Sequence, residues 1–312
     1  MRASLNRPQR WTGASWLSDW GDAWNRFWFT PSEPLVLAVI RIATGLLLTW
    51  SMVVWFLDVD AFFGMNGWQT PENVWRSNDQ PWQWSWYFVA VSPSSVRVLC
   101  GITLIAALLL TLGLATRLAA IVSLVGLVSA VNRAPLNVFG FDDTLGLLMI
   151  PLVIGPAGAV LSLDQFIFAR NATSSVQANI ALRLLQVQLC IVYFFAGCGK
   201  LLGASWWEGT ALWGAAANIQ YRTIDMTWTA AHPFLVNGVT LIALFWEVSY
   251  AALIWPRLTR PIVLIMAVLV HLGIGLTMGM MEFGLAMLVA NLAFVPVDLF
   301  DRISFDRISL KR

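Results

Sequence analysis

The sequence predicts an all-α integral membrane protein, a polytopic helical transmembrane bundle with about eight spans. Of its 312 residues, 58% are hydrophobic and only 12% are charged, and the mean hydropathy is +0.71. Soluble proteins carry about 25% charged residues, so this chain has too few to cover the surface of a soluble fold of its size. Its apolar residues are also collected in runs of the length that a spanning helix needs, which is about 20 residues.

Six of these runs are each long enough for one crossing. They occupy residues 35–57, 96–115, 118–136, 144–163, 180–202 and 233–255. The last apolar run, residues 261–300, is too long for one helix, and Gly279 and Gly284 flank Glu282 near its middle. We therefore divide this run into two helices, which brings the number of spans to eight.

The distribution of basic residues predicts that both termini are cytoplasmic. With the N-terminus inside, most of the 19 Lys and Arg residues fall on cytoplasmic segments, whereas the outer loops keep only Arg76, Arg97 and Arg222, with Arg133 at a boundary. Cytoplasmic loops are enriched in Lys and Arg, so an even number of spans fits this distribution. The sequence thus predicts a multi-pass membrane protein, of the plasma membrane if the protein is bacterial.

Three regions follow from this organisation. Residues 1–30 form an amphipathic, Trp-rich interfacial segment, residues 31–300 the transmembrane domain, and residues 301–312 a short basic cytoplasmic tail. In the first region indoles recur every four residues, at Trp16, Trp20, Trp24 and Trp28. This spacing places them on one face of a helix that either lies in the membrane interface or packs on the bundle.

Several classes of function are poorly supported. The sequence contains no Gly-rich phosphate loop, no Ser/His/Asp arrangement and no basic nucleic-acid stripe, and its three cysteines, in apolar runs, form no metal-ligand pattern. We therefore expect the lipid bilayer as a partner, no nucleic acid and no metal. Two long outer connections, residues 58–95 and 203–232, are rich in aromatic residues, which fits either a covered apolar cavity or ordinary interfacial belts.

Ionisable residues inside spans are costly and mark either functional sites or structural pairs. Arg41 and Arg183 lie near cytoplasmic helix ends, where we expect both to snorkel to the interface. At the outer end of a helix hairpin, Arg133 is expected to form an ion pair with Asp142 or Asp143.

Lys200 is the strongest candidate for a functional residue. It ends the fifth span after Gly197 and Gly199, which permit close helix contact and narrow the access to its amine. Burial disfavours the ammonium form, and a neutral amine can act as a base, although a snorkelling anchor is the alternative. Glu247 and His271, in the next two spans, are expected to meet either as a proton-handling pair or as a structural hydrogen bond.

The segment around Lys200 carries a family resemblance. Residues 192–201, VYFFAGCGKL, followed by Trp206 and Glu208-Gly209, resemble the stretch that contains the catalytic lysine of vitamin K-dependent γ-glutamyl carboxylases, within their HTTM membrane domain. The resemblance extends over about residues 30–300. It implies that Lys200 is the base that deprotonates vitamin K hydroquinone, a reduced quinone, with Glu247 and His271 in support and Tyr193 and Trp206 as cofactor-binding side chains.

Two departures from the carboxylase pattern leave several functions open. Asn132 and Arg133 stand where the carboxylase has a functional histidine, and the carboxylase's large lumenal domain has no counterpart in this sequence. The hypotheses are a quinol-directed enzyme, and a non-catalytic scaffold or maturation factor that binds a lipid or an exported peptide. A small transporter is a third, for which we find no inverted repeat. A separately encoded soluble partner is compatible with the first two.

Overall fold

The structure, a computed structural model, describes residues 13–77, 83–90, 92–169 and 173–299. These residues form α-helices and their connections, and their only strand-like pairing is a single antiparallel bridge between Ser32 and Ser175. The helices are α1 (Gly13–Phe29), α2 (Leu35–Leu57), α3 (Val59–Phe63), α4 (Pro71–Ser77), α5 (Pro93–Leu112), α6 (Thr116–Arg133), α7 (Gly140–Ile154), α8 (Leu163–Phe168), α9 (Val176–Leu201), α10 (Ala204–Trp207), α11 (Ala211–Ala216), α12 (Pro233–Leu253), α13 (Arg260–Met278) and α14 (Met281–Asn291). The predicted tail, residues 301–312, lies outside the described residues.

Six of the described helices are long and apolar enough to cross a membrane, namely α2, α5, α6, α9, α12 and α13. The predicted fourth span is shorter than expected, because α7 ends at Ile154 and the chain turns at Gly155-Pro156. The last apolar run is divided as predicted. Helix α13 stops at Gly279, which adopts a left-handed conformation (φ 71°), and α14 returns from Met281.

The bundle has two groups of helices with α7 and α14 between them. Helix α2 packs on α5, and α5 on α6, whereas α9 packs on α12 and α13 on α14. Small residues allow the close approaches in both groups: a side chain at Gly126 would collide with Thr103, and one at Gly197 with the backbone of Val248. Such contacts are typical of helix pairs in membranes, where van der Waals packing contributes much of the association energy.

Helix α1 packs on the bundle at one end, which is one of its two expected arrangements. Its C-terminal end is fixed to the bundle, since the Asn179 amide on α9 donates hydrogen bonds to the carbonyls of Phe27 (2.8 Å) and Trp28 (2.9 Å). Three of its indoles, those of Trp16, Trp20 and Trp24, are exposed. The helix therefore packs on α9 at one end and presents an indole face outward along the rest of its length.

The predicted snorkelling of Arg41 is wrong. Its side chain is completely buried and donates to the carbonyls of Ala157 (2.8 Å) and Leu161 (2.5 Å), in the loop that follows α7. The carbonyls of that loop are not used in helical hydrogen bonds. The guanidinium satisfies them because it supplies several N–H donors in a fixed geometry. Arg183 is half-buried, with its guanidinium 4.5 Å from the ring centroid of Phe27 on α1.

The predicted ion pair between Arg133 and Asp142 or Asp143 is also wrong. Arg133 is buried and donates to three backbone carbonyls of the connection between α3 and α4, those of Phe63, Gly64 and Gln69. Asp142 instead accepts the backbone N–H of Phe139 at the start of α7 (3.1 Å). The carbonyls of the turn after α3 are not used in helical hydrogen bonds. The guanidinium of Arg133 therefore binds these carbonyls and not the carboxylates of Asp142 or Asp143.

Replacing Arg41 with Met is expected to destabilise the protein by about 2–4 kcal/mol, because the buried carbonyls of Ala157 and Leu161 lose charged donors. Thermal unfolding in detergent micelles measures this as a lower midpoint. Arg117→Met is the matched control, because Arg117 lies exposed in the first turn of α6. Equal midpoints for the two variants would show that the Arg41 hydrogen bonds contribute little.

Candidate functional site

Helices α9, α12 and α13 enclose a cavity of about 960 Å³, to which α7, α11 and α14 add further walls. The lining is mainly apolar. All five site residues predicted from the sequence lie in this lining, namely Tyr193, Lys200, Trp206, Glu247 and His271. They come from three long helices and from the short helix α10, so the fold gathers residues that lie far apart along the chain.

Lys200 is deeper in the bundle than its place at the end of α9 suggests. Its Nζ lies 2.5 Å from Oε2 of Glu247, and Glu247 lies 14 residues after the start of α12, about 21 Å along the helix axis. Helix α9 therefore ends beside the C-terminal half of α12. The chain then continues along α12, with Gly209 against Asn237 and the Leu212 N–H donating to Thr240 Oγ1. Helices α10 and α11 thus cover the ion pair.

The surroundings of the ion pair strengthen it. The side chains of Lys200 and Glu247 are 29% and 14% exposed, and the Lys200 Nζ lies 5.4 Å from the centroid of the Trp206 ring. Charges attract more strongly in an apolar cavity than in water, and an indole face adds a cation–π contribution. At this separation a proton can pass between the amine and the carboxylate without a rearrangement of either side chain.

Glu247 and His271 do not form the predicted pair. Glu247 binds Lys200, whereas the His271 Nε2 lies 2.6 Å from the Tyr193 hydroxyl. Which partner each residue binds depends on the rotation of α12 and α13 about their axes, and this rotation turns Glu247 towards α9. His271 is 3% exposed, and its other ring nitrogen, Nδ1, has no hydrogen-bond partner among the described residues.

Tyr193 belongs to a longer chain of hydrogen bonds. The Asn291 amide donates to its hydroxyl (3.0 Å), and the Tyr250 hydroxyl donates to the Asn291 amide oxygen (2.7 Å). Neither Asn291 nor Tyr250 is among the site residues predicted from the sequence. A signal for Tyr250 existed, since it is one of only four tyrosines and lies in an apolar span three residues after Glu247.

Two further observations complete the site. Asp143, expected to pair with Arg133, lines the cavity from the first turn of α7. Across residues 13–77, 83–90, 92–169 and 173–299, no group of three or more His, Cys, Asp or Glu side chains is arranged to hold a metal ion.

The fold and site define a class of protein: a multi-pass helical membrane protein with an internal apolar cavity that contains an ion pair. A family model of the HTTM domain matches residues 29–299, and the chain belongs to the HTTM-domain family. The match includes every residue of the cavity and confirms the family resemblance of the sequence. A search of curated proteins and a search of solved structures each gave no significant match.

Substitution of either partner of the ion pair is expected to cost more than substitution of both. Lys200→Met or Glu247→Leu alone leaves one charge in an apolar cavity, at a cost of roughly 2–3 kcal/mol for this partly exposed pair. The double variant removes both charges, and its free energy of unfolding should lie within about 1 kcal/mol of the wild-type value. Thermal midpoints in detergent test this coupling, and additive losses would contradict it.

Proposed function

We propose that the protein binds a lipid-soluble phenol or quinol in the cavity and that Lys200 takes a proton from the bound hydroxyl. The observation that carries this proposal is the Lys200–Glu247 ion pair inside a mainly apolar cavity. A volume of about 960 Å³ lies within the usual range of ligand sites and has room for a ring system with part of a hydrocarbon tail. Vitamin K hydroquinone, which the family resemblance suggests, has this chemistry.

The ion pair provides a route for the proton. In the resting site Lys200 is an ammonium and Glu247 a carboxylate. Transfer of one proton to Glu247 leaves a neutral amine, which then accepts the proton of the bound hydroxyl, so the ligand becomes a phenolate beside an ammonium. General-base catalysis needs a base within hydrogen-bond reach of the proton, and Lys200 lines the cavity together with the aromatic rings of Tyr193 and Trp206.

A ligand of this kind would reach the site from the bilayer. Ile242 on α12 and Leu269 on α13 both line the cavity, yet they are 56% and 61% exposed. They therefore border an opening between the two helices. Contact between these helices includes a hydrogen bond from the Trp246 indole to the Val263 carbonyl (3.1 Å), in the inner half of each helix. This arrangement supports entry of the ligand from the bilayer between α12 and α13, on the outer side of that contact.

We include in this proposal a membrane topology of eight spans with both termini in the cytoplasm. Helices α7 and α14, added to the six long helices, make eight crossings, and the basic residues favour cytoplasmic termini. In a bacterial cell the protein would lie in the plasma membrane. The phenolate would then be open to oxidation by dissolved oxygen, and an exported peptide or a separately encoded soluble partner would be the further partner, as the resemblance to carboxylases suggests.

A non-catalytic binding role is the second candidate, and one observation favours it. Lys200 already has both a carboxylate partner and an indole face, so the resting pair is neutral overall and satisfied. A scaffold or maturation factor that holds a lipid or an exported peptide needs no more than this.

Oxidation of vitamin K hydroquinone by dissolved oxygen distinguishes the two candidates. Purified protein in liposomes is expected to accelerate the appearance of the quinone absorbance, and Lys200→Ala should abolish the acceleration because the amine is lost. Lys311→Ala is the control, since Lys311 is the only other lysine in the sequence. Inert wild-type protein that still binds the quinone would support the scaffold, and full activity of a folded Lys200→Ala would exclude Lys200 as the base.

Lateral access has its own test. Gly273 lines the cavity on α13, and a side chain there would meet open space, so Gly273→Phe should fill the opening without disturbing the packing. We expect roughly tenfold slower association of duroquinone, because an obstructed route lowers the rate of binding. Gly238→Phe on α12, which is also unobstructed but lies outside the cavity lining, is the matched control. Equal association rates in the two variants would place the route elsewhere.

A further inference from the structure

The direction of the buried hydrogen-bond chain fixes which nitrogen of His271 carries a proton. The chain connects Tyr250, Asn291, Tyr193 and His271, from α12, α14, α9 and α13, and all four side chains are buried. Asn291 also contacts the backbone carbonyl of Met287, at 2.9 Å. A carbonyl only accepts hydrogen bonds, so the atom of Asn291 that faces it is the amide nitrogen.

This assignment propagates along the chain. The same amide nitrogen faces the Tyr193 hydroxyl at 3.0 Å, so Tyr193 accepts there. A tyrosine hydroxyl has one hydrogen, and its remaining contact, the His271 Nε2 at 2.6 Å, is the acceptor to which we assign it. The amide oxygen of Asn291 accepts from Tyr250, which agrees with this orientation.

The proton of the imidazole therefore lies on Nδ1. A ring at 3% exposure is neutral, because a buried cation without an acidic partner is costly, and the carboxylate of Glu247 is bound to Lys200. A neutral imidazole has one acceptor and one donor nitrogen, and Nε2 is the acceptor. Nδ1 is then an N–H donor with no partner in the structure. Buried donors are almost always satisfied, so this atom needs an explanation.

We propose that the Nδ1–H of His271 donates a hydrogen bond to an acceptor oxygen of a neutral, apolar ligand in the cavity. The inference rests on the proposed function only in that the cavity holds a lipid-soluble molecule. Ligands of this class carry a carbonyl, ether or hydroxyl oxygen on an apolar body. His271 lies in the cavity lining with the edge-on ring of Phe283 at 5.9 Å, and Phe283 lines the same cavity. Nδ1 itself is enclosed, so the proposal requires the Phe283 ring to turn aside before a ligand can reach this atom.

The tautomer is measurable in the protein itself. The sequence contains two histidines, so ¹⁵N-histidine labelling of the His232→Gln variant leaves His271 as the only signal. His232 is exposed and lies outside the cavity lining. The nitrogen shifts should report a neutral ring protonated at Nδ1. A proton at Nε2, or at both nitrogens, would overturn the inference.

Tyr193→Phe tests the positioning role of the chain. Removing the hydroxyl removes the donor to Nε2, so the proton is expected to redistribute between the two nitrogens. A tyrosine that contributed only to packing would change the thermal midpoint and leave the tautomer unchanged.

Binding of a matched pair of probes tests the ligand class. Duroquinone and durene share a tetramethylated six-membered ring and differ in the two carbonyl oxygens. We expect the preference for duroquinone over durene to fall about fivefold in His271→Phe, with each affinity measured by equilibrium dialysis in the same detergent. Because the comparison is between proteins, the partition of each probe into micelles cancels.

The outcomes separate the two proposals. If neither probe binds the wild-type protein, the cavity is not a site for such ligands and the proposed function fails. If both probes bind and His271→Phe leaves the preference unchanged, the cavity role survives and the role of His271 is refuted. A preference that falls in His271→Phe and also in Tyr193→Phe supports the donor and the chain that orients it.

Discussion

A charged or polar side chain inside an apolar bundle is stable only where another group satisfies it, and the positions of the helices follow from three such matches. Arg41 binds carbonyls of the loop after α7, Arg133 binds carbonyls of the connection after α3, and Lys200 binds the carboxylate of Glu247. The partners of the two arginines are backbone groups, which cannot exchange protons. Only the lysine has a partner that can, which separates it chemically from the two structural cations.

Close packing makes the third match possible. Gly197 lies against the backbone of Val248, so α9 and α12 approach each other within one turn of the ion pair. The absence of a side chain at Gly197 is therefore what allows the Lys200 amine to reach Glu247 from a neighbouring helix. On the other side α12 and α13 meet through Trp246 and Val263 and leave room for the cavity beyond that contact. Tight contact on one flank and separation on the other define the site.

The helical architecture and the set of residues that form the site could both be predicted from the sequence, for different reasons. Hydropathy located the helices because length and composition alone decide whether a segment can span. Tyr193, Lys200, Trp206, Glu247 and His271 were grouped through their depth in the spans and a family resemblance, and they do line one cavity. Which of these side chains bind one another could not be predicted, because this depends on how far each helix is rotated and displaced relative to a helix distant in sequence. Glu247 was assigned to His271 for that reason, and Arg133 to the acidic residues nearest to it along the chain.

The hydrogen-bond chain that ends at His271 has an electrical consequence. Every donor in it points the same way, from Tyr250 through Asn291 and Tyr193 to the imidazole, so the bond dipoles add instead of cancelling. Hydrogen bonds in series polarise one another, which strengthens the positive end of the array. That end is an imidazole N–H in the wall of an apolar cavity, and it carries no formal charge. The protein thus presents a fixed positive potential to an electron-rich atom without paying the desolvation cost of a buried cation. Reversing the whole array would turn the Asn291 amide oxygen towards the Met287 carbonyl, so that one acceptor would face another.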